Sequence, residues 1–255
     1  MRKIGIIGFG WLGSRISRDV KGKFEIFTTT RSQDKLQEIE AEGVHAELAV
    51  FSDTEENFSD HWSVISELDA IIITVPFSER RSSRQSLQLK LSKLFSFIGS
   101  YEKQIFFTSS TSVYPDEPGV FTEEMVLPED IFVENLMRKA FPQINILRLG
   151  GLMGDSRLLK NFSISDPDTV VNHIHFKDIS TIIQLMIERE SHSKIYNVVA
   201  PLHPAKNEVV AAQNNELLKD VQYNNNKEQR IISSEKLISE LDFTFQYPDP
   251  KYFHM

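Results

Sequence analysis

The sequence of 255 residues contains no cysteine, and this absence removes several kinds of chemistry. Without thiols there can be no disulfide, no cysteine nucleophile and no thiolate metal site. The chain also lacks an apolar run of about 18 residues, the length that a membrane-spanning helix needs. Basic charge is scarce, because 28 lysines and arginines stand against 36 acidic residues, for a net charge of −8. A nucleic-acid-binding face is usually basic, so we expect neither a nucleic-acid nor a membrane partner.

The remaining composition is that of an ordinary globular protein, with 40% hydrophobic and 25% charged residues. The basic start, Met1 to Lys3, followed by apolar residues resembles a secretory signal. Glycines interrupt the apolar run, however, and no small-residue cleavage site follows it. We therefore expect a cytoplasmic protein.

A glycine-rich turn lies between the first predicted strand, residues 3–7, and the first predicted helix, residues 11–20. Its hexad follows the pattern G-x-G-x-x-G and consists of Gly8, Phe9, Gly10, Trp11, Leu12 and Gly13. In this setting the first glycine permits a tight turn, the second lets the backbone approach a pyrophosphate, and the third lets helix and strand pack closely. The free N–H groups of the helix start then face the anion. The hexad predicts a dinucleotide site; the alternative is a glycine turn without a ligand.

The second predicted strand, residues 24–29, ends without the carboxylate that holds the ribose 2′-hydroxyl of NAD. Thr30, Arg31 and Ser32 follow it, and the nearest carboxylate is Asp34. Two unit charges of the same sign at 4 Å repel by roughly 4 kcal/mol at an effective dielectric of 20, whereas an arginine attracts a phosphate and can bind it through two hydrogen bonds. These three residues favour NADP over NAD, although NAD stays possible. The alternative is a solvated arginine on a loop.

Strands and helices alternate through the first half of the chain, which predicts a parallel sheet with helices on both faces. We predict an α/β fold, a Rossmann-type doubly wound parallel sheet with a small C-terminal substrate lobe. The Rossmann domain comprises residues 1–155, completed by parts of 170–200, and the lobe comprises residues 156–255 with segments returning to the sheet. The predicted helices include residues 78–98, 129–141 and 204–218.

Five further segments resemble a known family. They are the serine-rich segment at 108–114, the segments at 146–154 and 172–178, and the shorter ones at 200–205 and 247–250. Together with the glycine hexad they resemble the extended short-chain dehydrogenases, the NAD-dependent epimerase/dehydratase group. The nearer similarity is to the atypical YeeZ-like proteins.

The resemblance implies a cofactor cleft beyond the carboxyl ends of the strands, where ligands of such sheets bind. It implies that Ser110 is the catalytic hydroxyl, and the alternative is that these serines and threonines only complete the strand end. We assign Val75, Pro76, Thr108 and Ser109 to the cofactor. We assign Thr111, Arg157 and His175 to the substrate. In the family the second histidine and the aspartate of 172–178 tie the lobe to the sheet, so His175 and Asp178 are also candidates for a structural role.

The sequence departs from the family at its acid–base pair. The family uses Tyr-x-x-x-Lys at the start of the next helix, and the matching positions here fall near Val126 and Asp130. A Tyr-x-x-x-Lys occurs at residues 223–227, within an asparagine-rich segment, and we regard it as chance. Loss of a general acid or base typically costs about 10²–10⁴-fold in rate. Tyr114 could replace the pair if its ring turned into the cleft.

Two smaller patterns carry less chemistry. His173 and His175 share one face of a strand, but no carboxylate pair completes a zinc site, so we predict no metal. Arg148 lies inside an apolar strand and is expected to be a buried hydrogen-bonding residue.

We therefore expect an NADP-dependent oxidoreductase or epimerase, acting on a small polar or nucleotide-linked metabolite as a monomer or weak homodimer. The alternative is a non-catalytic NADP-binding sensor that has lost the acid–base pair.

Overall fold

A seven-stranded parallel sheet forms the centre of the computed structural model, which describes residues 1–53, 60–215 and 228–255. In chain order the strands of the protein are β1 Arg2–Ile7, β2 Phe24–Thr30, β3 His45–Leu48, β4 Ala70–Ile73, β5 Gln104–Ser110, β6 Gly119–Phe121, β7 Asn145–Leu149, β8 Gly151–Met153, β9 His173–His175, β10 Ile195–Val198 and β11 Arg230–Ile232. The sheet order is β10-β7-β5-β4-β1-β2-β3, which confirms the predicted Rossmann-type α/β fold.

The α-helices alternate with these strands as the sequence predicted. They are α1 Trp11–Val20, α2 Gln33–Ala41, α3 Arg84–Ile98, α4 Phe132–Ala140, α5 Phe176–Glu188, α6 Lys206–Gln213 and α7 Glu235–Leu241. No helix in the described part of the chain combines the length and the apolar character needed to cross a membrane.

The order of the strands reverses beside β1, because β2 and β3 lie on one side of it and β4 and β5 on the other. The side chains of Ile4, Ile6 and Ile7 in β1 are fully buried. Helix α1 buries the face formed by Leu12, Ile16 and neighbouring small residues. Ligands of open α/β sheets bind at such a reversal, at the carboxyl ends of the strands. The turn between β1 and α1 stands at this point.

Three predicted helices are shorter in the structure than the apolar spacing indicated. Helix α3 begins at Arg84 rather than at residue 78, because the Ser83 hydroxyl accepts a hydrogen bond from the Ser86 amide and caps the helix there. Helix α4 begins at Phe132 after a separate 3-10 turn, Pro128–Asp130. Helix α6 ends at Gln213, and residues 216–218 of its predicted range lie outside the described residues.

The chain divides into two compact units that interleave along the sequence. The first comprises Met1–Ser109, Leu127–Ile146 and Ile183–Lys194, and the second comprises Ser110–Val126, Leu147–Ile182 and Ile195–Met255. The chain thus enters each unit three times. The predicted domains, residues 1–155 completed by parts of 170–200 and residues 156–255 with segments returning to the sheet, stay a prediction. The second unit also contains two short parallel strand pairs, β6 with β11 and β8 with β9, which the sequence did not predict.

Candidate functional site

The turn after β1 is shaped by its three glycines, each for a different reason. Gly8 adopts a φ of +101°, a conformation that side chains rarely tolerate, and its amide donates to Thr29 Oγ1 at 3.1 Å. A Cβ on Gly13 would collide with the Gly8 carbonyl oxygen, so the close packing of helix on turn requires glycine there. A Cβ on Gly10 would meet no atom within 4 Å. The turn is therefore tightly packed behind Gly10 and open in front of it.

Helix α1 begins directly at this opening. Gly10 is its N-cap residue, and the carbonyl oxygen of Gly10 accepts the first hydrogen bond of the helix, from the Ser14 amide at 3.0 Å. No acidic residue occupies the first turn. The N–H groups of a first turn have no partner within their own helix, and the helix dipole favours an anion beside them. The guanidinium of Arg15 stacks on the Trp11 ring, 4.1 Å from its centroid.

The neighbouring strand ends complete this part of the first unit. Thr74 Oγ1 donates to Gly8 O at 2.7 Å, and the Val75 side chain packs against Gly8. Pro76, the next residue, is exposed. Val75 thus lies against the turn, and its contact with the cofactor stays a prediction, as does that of Pro76.

The end of β2 presents one charged side chain. Thr30 is buried and Arg31 is exposed. Ser32 caps α2, because its hydroxyl accepts from the Lys35 amide at 3.4 Å, and its own amide donates to Thr30 Oγ1 at 3.3 Å. The two hydroxyls that the sequence assigned to the cofactor therefore also hold the bend, and Arg31 is the exposed cation at this position.

Strand β5 carries the serine-rich segment. Thr108 Oγ1 donates to Ile73 O at 3.1 Å, and Ser109 Oγ donates to Glu134 Oε1 at 2.6 Å. Glu134 lies on α4 and is almost fully buried. Both hydroxyls are thus engaged within the first unit, and the contact with Glu134 is one that sequence reasoning missed.

In the second unit, Ser110 is the exposed last residue of β5. Its Oγ accepts a hydrogen bond from the Ser112 amide at 3.1 Å, which leaves the Ser110 O–H group as a donor. Thr111, by contrast, is buried, and its carbonyl oxygen accepts from Arg230. Of these two residues, Ser110 is the exposed one.

The Tyr114 ring does not face solvent; it is 2% exposed and belongs to a buried polar network. Its hydroxyl donates to Asn197 Oδ1 at 2.7 Å and accepts from Arg148 Nη1 at 2.9 Å. Arg148, 1% exposed, also donates to Glu123 O at 3.0 Å. Arg148 thus has the buried hydrogen-bonding position that the sequence indicated.

Burial shifts the pKa values of two groups in this network. Burial raises the pKa of Tyr114, and the Arg148 guanidinium opposes that rise. The Glu123 carboxylate accepts from the Asn197 amide at 2.7 Å, while burial raises the pKa of Glu123 as well. Proton transfer by Tyr114 would require its ring to leave partners on both sides. The structure therefore favours a structural role for Tyr114 over the acid–base role considered from the sequence.

His175 and Asp178 tie the chain's C-terminal segment to α5. The His175 ring stacks on Tyr247 with centroids 3.8 Å apart, and the Asp178 carboxylate accepts from the amides of Gln246 at 2.8 Å and Tyr247 at 3.1 Å. Burial lowers the pKa of His175 to about 4 and raises the pKa of Asp178 to about 6. His175 is buried in this contact, so the geometry supports its structural role over substrate binding.

The remaining candidates are more exposed. Arg157 lies at a turn, where its amide and carbonyl bond to those of Gly154 at 3.0 and 3.1 Å, and its side chain is exposed. His173 is half-buried, and burial lowers its pKa to about 4. Within residues 1–53, 60–215 and 228–255, no three histidine or acidic side chains gather as metal ligands would.

The positions of the missing acid–base pair offer no substitute. Val126 follows a 3-10 turn, and Asp130 ends the next one, before α4 begins. Helix α4 carries neither tyrosine nor an N-terminal lysine. The Tyr-x-x-x-Lys of residues 223–227 lies outside the described residues.

Comparison with known proteins agrees with the fold, although no family model matches the chain. YeeZ of Escherichia coli strain K12 is 30% identical across 98% of this chain and 98% of YeeZ. The yeast methylglyoxal/isovaleraldehyde reductase, solved with NADPH, has a TM-score of 0.74 at 15% identity and covers 99% of this chain and 96% of the reductase. UDP-glucuronic acid 4-epimerase from Bacillus cereus, solved with NAD, has a TM-score of 0.69 at 14% identity, over 99% and 97%. These two structures share the fold, whereas the identity to YeeZ shows the family. The chain therefore belongs to the YeeZ family.

Proposed function

We propose that the protein binds NADP through the turn after β1. The observation that carries this proposal is the combination of a closely packed turn with an open face at Gly10, directly before a helix start that has no acidic residue. A pyrophosphate fits such a turn because backbone amides and the helix dipole both attract it. The yeast reductase of the same fold was solved with NADPH, and the epimerase with NAD.

Arg31 supports NADP as the preferred form. It is exposed at the end of β2, and the nearest carboxylate along the chain, Asp34, is already in the first turn of α2. An arginine at this position attracts a 2′-phosphate and can bind it through two parallel hydrogen bonds. A carboxylate that would select the 2′-hydroxyl of NAD is missing from the strand end.

We further propose that the protein is an oxidoreductase or epimerase acting on a small polar or nucleotide-linked metabolite. A bound nicotinamide would supply or accept a hydride. Ser110 would donate its exposed O–H group to the reacting oxygen of the substrate, since its oxygen is already held by the Ser112 amide. Water would exchange the proton, because Tyr114 is bonded on both sides in the interior. Arg157 is exposed and is the candidate to attract a substrate phosphate.

A non-catalytic NADP-binding sensor is the second candidate. The observation in its favour is the absence of the Tyr-x-x-x-Lys pair from α4, together with the buried position of Tyr114. This candidate keeps the cofactor turn and predicts no consumption of bound NADPH.

Two measurements test these proposals. Titration of the purified protein should show tighter binding of NADPH than of NADH, and Arg31→Ala should remove that preference. Arg18→Ala, which alters an exposed arginine in the last turn of α1, is the control and should keep it. Equal affinity for both nucleotides in the wild-type protein would refute the NADP assignment.

The second measurement follows the absorbance of bound NADPH in a single turnover with aldehydes, ketones and nucleotide sugars. Oxidation by one of these compounds, lost in Ser110→Ala, supports the enzyme. Tight NADPH binding without oxidation by any of them supports the sensor.

A further inference from the structure

One arginine of the second unit holds the loop that follows Ser110. Arg230 Nε donates to Pro115 O at 2.7 Å, and Arg230 Nη2 donates to Thr111 O at 2.9 Å and to Tyr114 O at 3.4 Å. We propose that Arg230 is a positioning residue that fixes residues 110–115, the Ser110 loop, and thereby the Ser110 hydroxyl. The proposal rests on the proposed function of Ser110.

The orientation of Ser110 depends on the conformation of this loop. Within the loop, Ser110 Oγ accepts from the Ser112 amide at 3.1 Å, and the Tyr114 amide donates to Thr111 O at 3.3 Å. The first bond lies at the long end of the usual range of about 2.7–3.2 Å for an N–H donor, and the second lies slightly beyond it. Arg230 bonds the same Thr111 carbonyl and so stabilises the turn from outside. If the loop opened, the Ser112 amide would no longer hold the Ser110 oxygen.

The backbone at Arg230 is held in place by its neighbours. It pairs with Gly119 in the short β6–β11 sheet. The side chain of Asn172 bonds the backbone on both sides of Arg230's neighbour Ile231, because its Nδ2 donates to Arg230 O at 2.9 Å and its Oδ1 accepts from the Ile232 amide at 2.8 Å. These contacts hold the backbone from which the guanidinium reaches the loop.

The loop is also anchored from the interior. The Tyr114 hydroxyl donates to Asn197, while the Tyr114 carbonyl accepts from Arg230. The Tyr114 ring thus fixes one end of the Ser110 loop inside the unit, and the Arg230 guanidinium donates to the carbonyl oxygens of the loop. A guanidinium suits this task better than an ammonium group, since its donors lie in one plane and reach several acceptors at once. Lysine at position 230 should therefore replace the contact only in part.

Hydrogen exchange tests the proposal without any substrate. The amides of Ser112 and Tyr114 should exchange roughly tenfold faster in Arg230→Gln than in the wild-type protein, and Arg230→Lys should fall between the two. The matched control is Arg2→Gln, which removes a guanidinium bonded to a carbonyl oxygen, that of Ile187, at the opposite end of β1 from the glycine turn. Unchanged exchange in Arg230→Gln, or equal acceleration in the control, would overturn the proposal.

Kinetics separate positioning from general destabilisation. With any substrate that oxidises NADPH, Arg230→Gln should lower kcat roughly 10²-fold, the effect expected when a reacting group is misplaced, and leave KM and the NADPH affinity within about twofold. Guanidinium chloride at low millimolar concentration should restore part of kcat, whereas sodium chloride should not. A loss confined to KM, or no rescue, would contradict positioning.

The two failures can be told apart. If the wild-type protein does not bind NADPH, the proposed function fails. If it binds NADPH but oxidises none with any substrate, the exchange rates of the Ser110 loop decide the role of Arg230.

Discussion

A valine at Gly10 should block the nucleotide while leaving the fold intact. Gly10 has φ of −85° and ψ of −159°, which any residue can adopt, and a Cβ there meets no atom within 4 Å. The side chain of Gly10→Val would therefore project into the open face of the turn. This is where the pyrophosphate is proposed to lie, so steric exclusion should act on the ligand and not on the protein.

The magnitude follows from the contacts that would be lost. Hydrogen bonds to a charged group contribute about 1.5–3 kcal/mol each, so displacing a phosphate from two backbone amides should cost about 3–6 kcal/mol. This corresponds to an affinity loss of roughly 10²- to 10⁴-fold. The free energy of unfolding should fall by only about 1 kcal/mol, because valine is a poorer N-cap residue than glycine.

The matched control is Gly22→Val. Gly22 also lacks a positive φ, and a Cβ there also meets no atom within 4 Å, but it follows the C-terminal end of α1. Fluorescence titration with NADPH, beside thermal unfolding of both variants, makes the comparison. Wild-type affinity in Gly10→Val would refute the placement of the pyrophosphate, and equal loss in Gly22→Val would show a nonspecific effect.

Three further predictions concern packing, the buried network and pH. Gly13→Ala should lower the free energy of unfolding by several kcal/mol, since its Cβ would collide with the backbone; a melting temperature equal to that of the wild type would contradict this. Tyr114→Phe should cost about 1–3 kcal/mol of stability by leaving buried partners unsatisfied, yet the folded variant should retain turnover as long as its Ser112 amide exchanges at the wild-type rate; a loss of kcat without faster exchange of that amide would restore Tyr114 as an acid–base group. The free energy of unfolding should fall as the pH drops from 6.5 toward 4. His173 and His175 have folded-state pKa values of about 4, so they bind protons more strongly in the unfolded chain. Asp178, with a pKa of about 6 in the folded state, acts in the opposite direction. The free energy of unfolding, measured with urea between pH 4 and 7, should fall less steeply toward low pH in His175→Gln than in the wild-type protein. An unchanged pH dependence would contradict the lowered pKa of His175.

Local patterns determined most of the fold. Helix α1 begins and ends at the predicted residues, and so does α5, because apolar residues recur along one face and capping or glycine signals adjoin them. The strand β4 was evident from its buried isoleucines. The predicted start of α3 lies too early. Several serines precede the helix, and the spacing of the polar residues does not show which serine, Ser83, is the N-cap. Strands β6, β8 and β11 have three residues each, which is too short for a periodic signal.

The sequence by itself determined the glycine turn and the exposed Arg31, because each depends on residues adjacent in the chain. Only the tertiary structure decided that Tyr114 is buried, with its partner Asn197 83 residues away along the chain. It also decided the contact on which the proposed role of Arg230 rests, because Arg230 is 115 residues from Pro115. Such hydrogen bonds leave no recognisable pattern in the sequence, because the two residues come together only in the folded protein. The chemistry proposed for Ser110 would therefore depend on residues whose contacts are visible only once the chain is folded.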